Sequence, residues 1–155
     1  MISIEIIDRK HCVALSEIIS TDTELAKYLH GPDGEIKRVS EYEFFETCKK
    51  WEHKKGGYCY VVLLNGDPIG TVSYAPLKDN AEAAGVGFYI ASPYWGKGYG
   101  TKLLKEMIDI LNHKGYKYVT GSVPKGNIAP KRVFEKCGAE FKEDKSRYYP
   151  IIRLQ

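Results

Sequence analysis

The sequence predicts a mixed α/β (α+β) fold: one domain over residues 1–155, with a single mixed, mostly antiparallel sheet and helices on its faces. Three observations carry this. The apolar period is helical before Tyr58 and becomes a short continuous run after it, as a buried strand requires. An Asn65-Gly66 step then joins two apolar runs, the strongest short signal for a hairpin. Further on, a strand-like run ending near Ala91 passes through a loop with Gly96, Gly98 and Gly100 straight into an amphipathic segment.

The elements follow in order. Residues 2–7 alternate loosely and read as a strand, and Asp8 caps a helix over residues 9–19 with Val13, Leu15, Ile18 and Ile19 mostly inward. Thr21 with Glu24, and Ser40 with Glu43, both match the capping box, in which each side chain satisfies the other residue's free backbone donor. The second opens a helix with Tyr42, Phe45, Cys48 and Trp51 three residues apart; "HGPDGE", residues 30–35, is a loop. Residues 58–64 form a strand, 69–77 return beside it, "KDN" turns the chain, and 82–91 make a third strand. Leu103, Leu104, Met107, Ile108 and Leu111 define the helix after the glycine loop, and Lys114-Gly115 ends it. Residues 116–123 are another strand. Asn127 caps a short helix with Pro130 in its first turn, Val133, Phe134 and Cys137 on one side, and Gly138 at its end. Strands near 139–144 and 147–153 complete the order β-α-α-β-β-β-α-β-α-β-β, with no repeat, linker or low-complexity segment.

Composition narrows the function classes. Hydrophobic residues make up 43% and charged residues 28%, a globular balance. No apolar run approaches the ~20 residues of a membrane span, and "MISIEIIDRK" lacks the pattern of a signal peptide. A cytoplasmic protein without membrane contact is the expectation. Cys12, Cys48, Cys59 and Cys137 have neither metal-ligand nor paired spacing, so free thiols and no metal site are expected. His11, His30, His53 and His113 sit apart in polar company and read as solvated. The net charge of +3 is uneven: residues 1–96 hold 10 basic against 14 acidic side chains, and residues 97–155 hold 13 against 6. The basic half begins at the glycine loop, which suits a polyanionic small ligand; a solvated basic face is the alternative. Nucleic-acid binding would need a stronger basic excess with stacking aromatics among it, so no nucleic-acid partner is expected.

"WGKGYGTKLL" fails both familiar phosphate loops. The dinucleotide fingerprint wants its third glycine one position later, and the P-loop wants Lys before Thr with wider glycine spacing. The physical function survives: successive backbone N–H groups in a glycine loop can point into one concavity, and the helix N-terminus behind them adds partial positive charge. A turn usually needs one glycine of positive φ, so three at alternate positions point to anion binding.

"FYIASPYWGKGYGTKLL", followed about thirty residues on by "NIAPKRVFEKCGAEF", resembles the GNAT superfamily of acetyl-CoA-dependent N-acetyltransferases, in the branch that includes ribosomal-protein acetyltransferases. The resemblance covers essentially the whole chain. It implies the acyl-CoA N-acyltransferase fold, a central sheet whose middle strands splay apart. The family pattern, Arg/Gln-x-x-Gly-x-Gly/Ala, falls on Trp95, Gly98 and Gly100, with Trp95 replacing the usual Arg or Gln. By resemblance, the N–H groups of Gly96, Lys97, Gly98, Tyr99, Gly100 and Thr101 hold the CoA pyrophosphate, with Lys97 near a phosphate or simply solvated. Tyr89, Ile90 and Ala91 occupy the splayed strand that pairs with the pantetheine arm through its main chain. Asn127 matches the family asparagine that contacts the cofactor.

Transfer to an amine needs a neutral nitrogen, a polarised thioester carbonyl and a stabilised leaving thiolate. The backbone N–H of Ile90 is the candidate oxyanion donor. The family tyrosine that serves as general acid falls on Phe134, which has no proton to give, and the branch glutamate falls on Gly85. Glu82 is the nearest carboxylate substitute, or an exposed acid at a strand start, and Tyr149 or Tyr148 is the candidate proton donor. The acceptor, a primary amine on a small molecule or a protein N-terminus, is expected against the first two helices and the final hairpin. Residues 22–46 carry an acidic excess there that suits a cationic amine or an ordinary helix surface. Phe134 and Gly85 leave a second reading open, a CoA-binding sensor or partner module without catalysis. Exposed C-terminal strand edges leave pairing into a homodimer open as well.

Overall fold

The computed structural model describes residues 1–155. Strand β1 (Ile2–Ile6) leads into helices α1 (Arg9–Thr21), α2 (Thr23–His30) and α3 (Glu41–Lys55). The meander β2 (Tyr58–Leu64), β3 (Asp67–Pro76) and β4 (Ala83–Ile90) follows, then a 3-10 turn (Ser92–Tyr94) and α4 (Tyr99–His113). Short strands β5 (Tyr118–Thr120) and β6 (Val123–Pro124), helix α5 (Ile128–Lys136) and the hairpin β7 (Glu140–Glu143) and β8 (Arg147–Arg153) complete the chain. All eight strands join one sheet in the order β1-β2-β3-β4-β5-β8-β6, with β7 on β8. Only β4 and β5 run parallel. The mixed, mostly antiparallel sheet is as the sequence predicts. No helix is long and apolar enough to cross a membrane.

The continuous apolar run of β2 is explained by burial on both faces. Tyr60 and Val62 enter the larger core with Leu103, Leu104, Met107 and Leu111 of α4. Cys59, Val61 and Leu63 point the other way, onto Cys12 and Leu15 of α1, with Phe44, Phe45, Cys48 and Trp51 of α3 around them. Asn65 and Gly66 both have positive φ, 50° and 88°, so the hairpin is built as its sequence implies. All four cysteines are free.

Several local readings are corrected. Three helices, not two, precede β2. Thr21 does not cap the extra one: it ends α1, its hydroxyl donating to the Glu17 carbonyl at 2.8 Å, and Asp22 is the cap. His11 is 6% exposed rather than solvated, because its Nδ1 accepts the Asp8 N–H at 3.0 Å and closes a capping box on α1. In α3 it is Phe44, not the 61%-exposed Tyr42, that packs inward. The strand expected over 116–123 is broken into β5 and β6 at Gly121, where the Phe134 ring leaves no room for a side chain.

Asp22 joins the α1–α2 junction to the end of β4. It accepts the Leu25 amide at 3.0 Å, and the Ser92 amide and hydroxyl at 2.7 Å each. Burial disfavours the charged carboxylate, but the hydrogen bonds from Ser92 and Leu25 outweigh it and hold Asp22 below its ordinary value of 3.8. A group depressed in the folded state stabilises above its unfolded pKa and loses that contribution as pH falls through the folded one. Asp22→Asn is therefore expected to cost about 1–2 kcal/mol at pH 7, with the gap to wild type narrowing below pH 3.8. Urea denaturation at pH 7 and pH 3 measures both, and an equal gap at the two values would refute it.

Candidate active site

The site begins where the sheet opens. Between β3 and β4, Ala91 donates to Ile69 at 2.8 Å and Leu77 to Ala83 at 2.9 Å, so the odd-numbered residues of β4 turn their main chain toward β3. The even-numbered ones face β5. But β5 pairs with β4 only at Ala83, Ala84 and Gly85. Beyond that the neighbouring segment swings away to pair, as β6, with Tyr148 and Arg147 of β8. The N–H groups of Phe88 and Ile90 thus face a gap in the middle of the sheet. Trp95, by its Nε1 at 2.7 Å, takes the Ile90 carbonyl. Of the three strand positions singled out by resemblance, only Ile90 presents its main chain to this gap; Tyr89 and Ala91 turn theirs to β3.

A cavity of about 340 Å³ lies at the open end of β4, lined by the glycine loop, Phe88, Ile90, Tyr94, Trp95 and the α5 residues Val133, Arg132 and Lys136. Gly96 and Gly98 have φ of 77° and 80°, and Gly98 caps α4 without any side-chain bond. Gly100 serves differently: it is helical, and a Cβ there would meet Val133 Cγ2 at 3.0 Å, so it lets α5 lie close. None of the N–H groups from Gly96 to Thr101 finds a partner in the chain. A run of unpaired donors at the start of a 15-residue helix is an anion site by dipole and hydrogen bonding together.

A second cavity, about 190 Å³, fills the gap itself between Val86–Phe88 and Ser122–Pro124. Tyr28, Phe88 and Pro130 line both cavities, so the two meet there. Tyr28 packs 5.6 Å from the Trp95 ring, and burial pushes its hydroxyl up to about 12. That hydroxyl bonds to nothing in the chain. Asn127 lines the gap cavity too, but its side chain does not cap α5; Nδ2 donates to the Tyr28 carbonyl at 3.0 Å and ties α2 across the gap. Phe134, 2% exposed, packs with its ring tilted 6.0 Å from that of Phe88 and walls the gap cavity.

Other sequence candidates lie elsewhere. Glu82 precedes β4 and pairs with Lys117 at 3.0 Å. It stands roughly 26 Å along the strand from Ile90, at about 3.3 Å per residue. Tyr149 donates to Asp144 at 2.6 Å in the β7–β8 turn and lines neither cavity. Asp144 is held down to about 2, first by that bond and then by the amides of Ser146 and Arg147. Tyr148 turns to Phe141. Lys97 is exposed and outside the cavity lining; Arg132 and Lys136 are the cations that line it. No carboxylate lines either cavity. Arg132, Lys136 and Arg147 escaped the sequence reading, since only tertiary packing brings them to the site. Tyr28 lies in the acidic segment 22–46, where no local pattern marks it.

A splayed sheet with a donor-lined loop at the head of a helix defines an acyltransferase-type architecture, and comparison with known proteins agrees. The acetyltransferase (GNAT) domain family matches residues 5–140. The chain belongs to the GNAT acetyltransferase family. Among solved structures it resembles RimL, a ribosomal-protein alpha-N-acetyltransferase in complex with coenzyme A, at 14% identity and a TM-score of 0.82, covering 99% of this chain and 94% of that one. It also resembles aminoglycoside acetyltransferase AAC(6')-Ib in complex with coenzyme A and kanamycin (17% identity, TM-score 0.78, 99% and 95% coverage). A GNAT-family acetyltransferase from Streptococcus pneumoniae matches at 19% identity, with a TM-score of 0.77 and 100% coverage of both chains. No curated protein matches the chain in sequence.

Proposed function

We propose that this acetyltransferase moves the acetyl group of acetyl-CoA directly to a primary amine, both substrates being held at once. The observation that carries the reading is the meeting of two cavities at Tyr28, Phe88 and Pro130, one lined by unpaired amides and cations, the other filling the gap in the sheet. The Gly96–Thr101 amides, with Arg132 and Lys136, hold the pyrophosphate, and the Phe88 and Ile90 end of the same cavity takes the pantetheine arm, leaving the gap cavity to the acceptor. The Ile90 N–H donates to the thioester carbonyl oxygen as it gains charge. Tyr28 replaces the missing tyrosine at position 134: held protonated by burial, its hydroxyl donates a hydrogen bond to the departing sulfur. With no carboxylate against either cavity, the acceptor's proton leaves to solvent.

Purified protein with acetyl-CoA at ~100 times its dissociation constant should gain about 2.7 kcal/mol, a rise of roughly 5–11 °C for a domain of this size. Arg132→Glu combined with Lys136→Glu should remove most of that rise without changing the melting temperature of the unliganded protein. No rise at millimolar acetyl-CoA would overturn the reading. A full rise with no acetyl transfer to any amine would instead favour a CoA-binding sensor module, the reading that Phe134 supports.

A further inference from the structure

The gap cavity holds one charged side chain, and it is paired with no carboxylate. Arg147, at the start of β8, lines this cavity with Ser122, Asn127 and the apolar Leu29, Val86 and Phe134. Its Nε donates to the Ser122 hydroxyl, and one Nη donates to the Ser122 carbonyl at 3.4 Å. Both partners are neutral. Arg147 is in none of the chain's six ion pairs. A guanidinium has five N–H donors in a planar fork suited to a carboxylate; two are engaged here, so part of the fork stays free. Fixing its stem to Ser122 orients it without neutralising it. Asn127 supplies the complementary group. Its Nδ2 is committed to the Tyr28 carbonyl, which leaves its side-chain oxygen free as an acceptor on a residue that lines the same cavity.

We propose that the acceptor is a free apolar α-amino acid, its carboxylate on Arg147, its amine toward Asn127 and the Ile90 end of the gap, and its side chain against Leu29, Val86 and Phe134. The proposal rests on the acetyl-transfer reading above and names its substrate class. Of the two readings of the acidic excess in residues 22–46, it leaves the ordinary helix surface: no carboxylate lines the cavity, so a polycationic amine finds no partner there. It also disfavours a protein N-terminus, which carries a neutral amide where the free amino acid carries its carboxylate.

The test compares L-leucine with L-leucinamide as acceptors at saturating acetyl-CoA. The amide stands in for a peptide N-terminus, and its less basic amine gives it the advantage if only the neutral fraction matters. Leucine is expected to show a kcat/KM at least about tenfold higher, a single charge-assisted contact in a half-buried site. Arg147→Gln should bring the ratio toward one, mainly through KM for leucine, and Arg147→Lys should restore part of it. If neither compound reacts, the acid–amide pairs of alanine, valine, methionine and phenylalanine are run in the same way. An amide accepted as well as its acid, no acid preferred over its amide in any pair, or an unchanged ratio in Arg147→Gln overturns the proposal while leaving acetyl transfer standing. Failure of acetyl-CoA to raise the melting temperature is the separate result that overturns the transfer reading, and this proposal with it.

Discussion

Tyr28→Phe is expected to lower kcat by about a hundredfold, the usual cost of removing one donor from a developing charge. KM for acetyl-CoA and the melting temperature should stay close to wild type. The separation of these effects follows from the geometry. The Tyr28 ring supplies the packing against Trp95, 5.6 Å away, and phenylalanine keeps it. The hydroxyl bonds to nothing in the chain, so its removal leaves no orphaned partner. Its use arises only when a sulfur beside it becomes a thiolate, so an interaction made in the transition state is lost and kcat and kcat/KM fall together. Burial lifts the phenol to about 12, so it remains protonated at every pH suited to the assay. A Tyr28→Phe enzyme with wild-type kcat would remove Tyr28 from the chemistry.

Gly70→Ala should be among the most damaging single methyls in the chain. Gly70 lies on β3 opposite Ile90, beside the register shift between Val62 and Leu63. A Cβ there would strike the Tyr89 carbonyl oxygen and come within 2.9 Å of the Ile90 Cα. Both are backbone atoms of a central strand, so no side chain can swing aside. Overpacking of this kind usually costs 1–3 kcal/mol, and the upper end, about 3 kcal/mol, applies when only backbone can yield. The melting temperature should fall by roughly 6–12 °C. Whatever β4 does to escape also moves the Ile90 amide, so acetyl transfer should weaken even where the variant is folded. Calorimetry and a steady-state assay at 25 °C check the two halves, and a variant with wild-type stability would refute the packing argument.

What the sequence disclosed depended on how local the cause was. The hairpin at Asn65-Gly66 and the capping box at Ser40 and Glu43 rest on neighbours within a few residues, and both stand in the structure as read. In the glycine loop Gly96 and Gly98 take positive φ, whereas Gly100 is helical and makes room for Val133. "TDTE" misled because two capping residues stand side by side, and the choice fell to Asp22 through Ser92, 70 positions away. His11 misled because a histidine can close a capping box from the N3 position as a glutamate does. Family resemblance singled out Asn127, which lines the gap cavity, but gave no hint of its partner, the Tyr28 carbonyl. The cations Arg132, Lys136 and Arg147 carried no signal at all. In a basic C-terminal half they were three among thirteen, and only the placement of α5 and β8 distinguishes them.

The short parallel pairing of β4 and β5 has a mechanical meaning. Three residue pairs join β4 of the meander to β5, which lies against β8 in the C-terminal half. β2 and β3 share seven. The sheet is therefore stitched only lightly along the line of the gap. α4 and α5, packed together through Gly100 and Val133, span that line from one side, and the Asn127–Tyr28 bond draws it closed from α2. Widening the seam to admit an acceptor, or narrowing it around one, disturbs these few ties and leaves both half-sheets whole. The gap and the light seam are one feature.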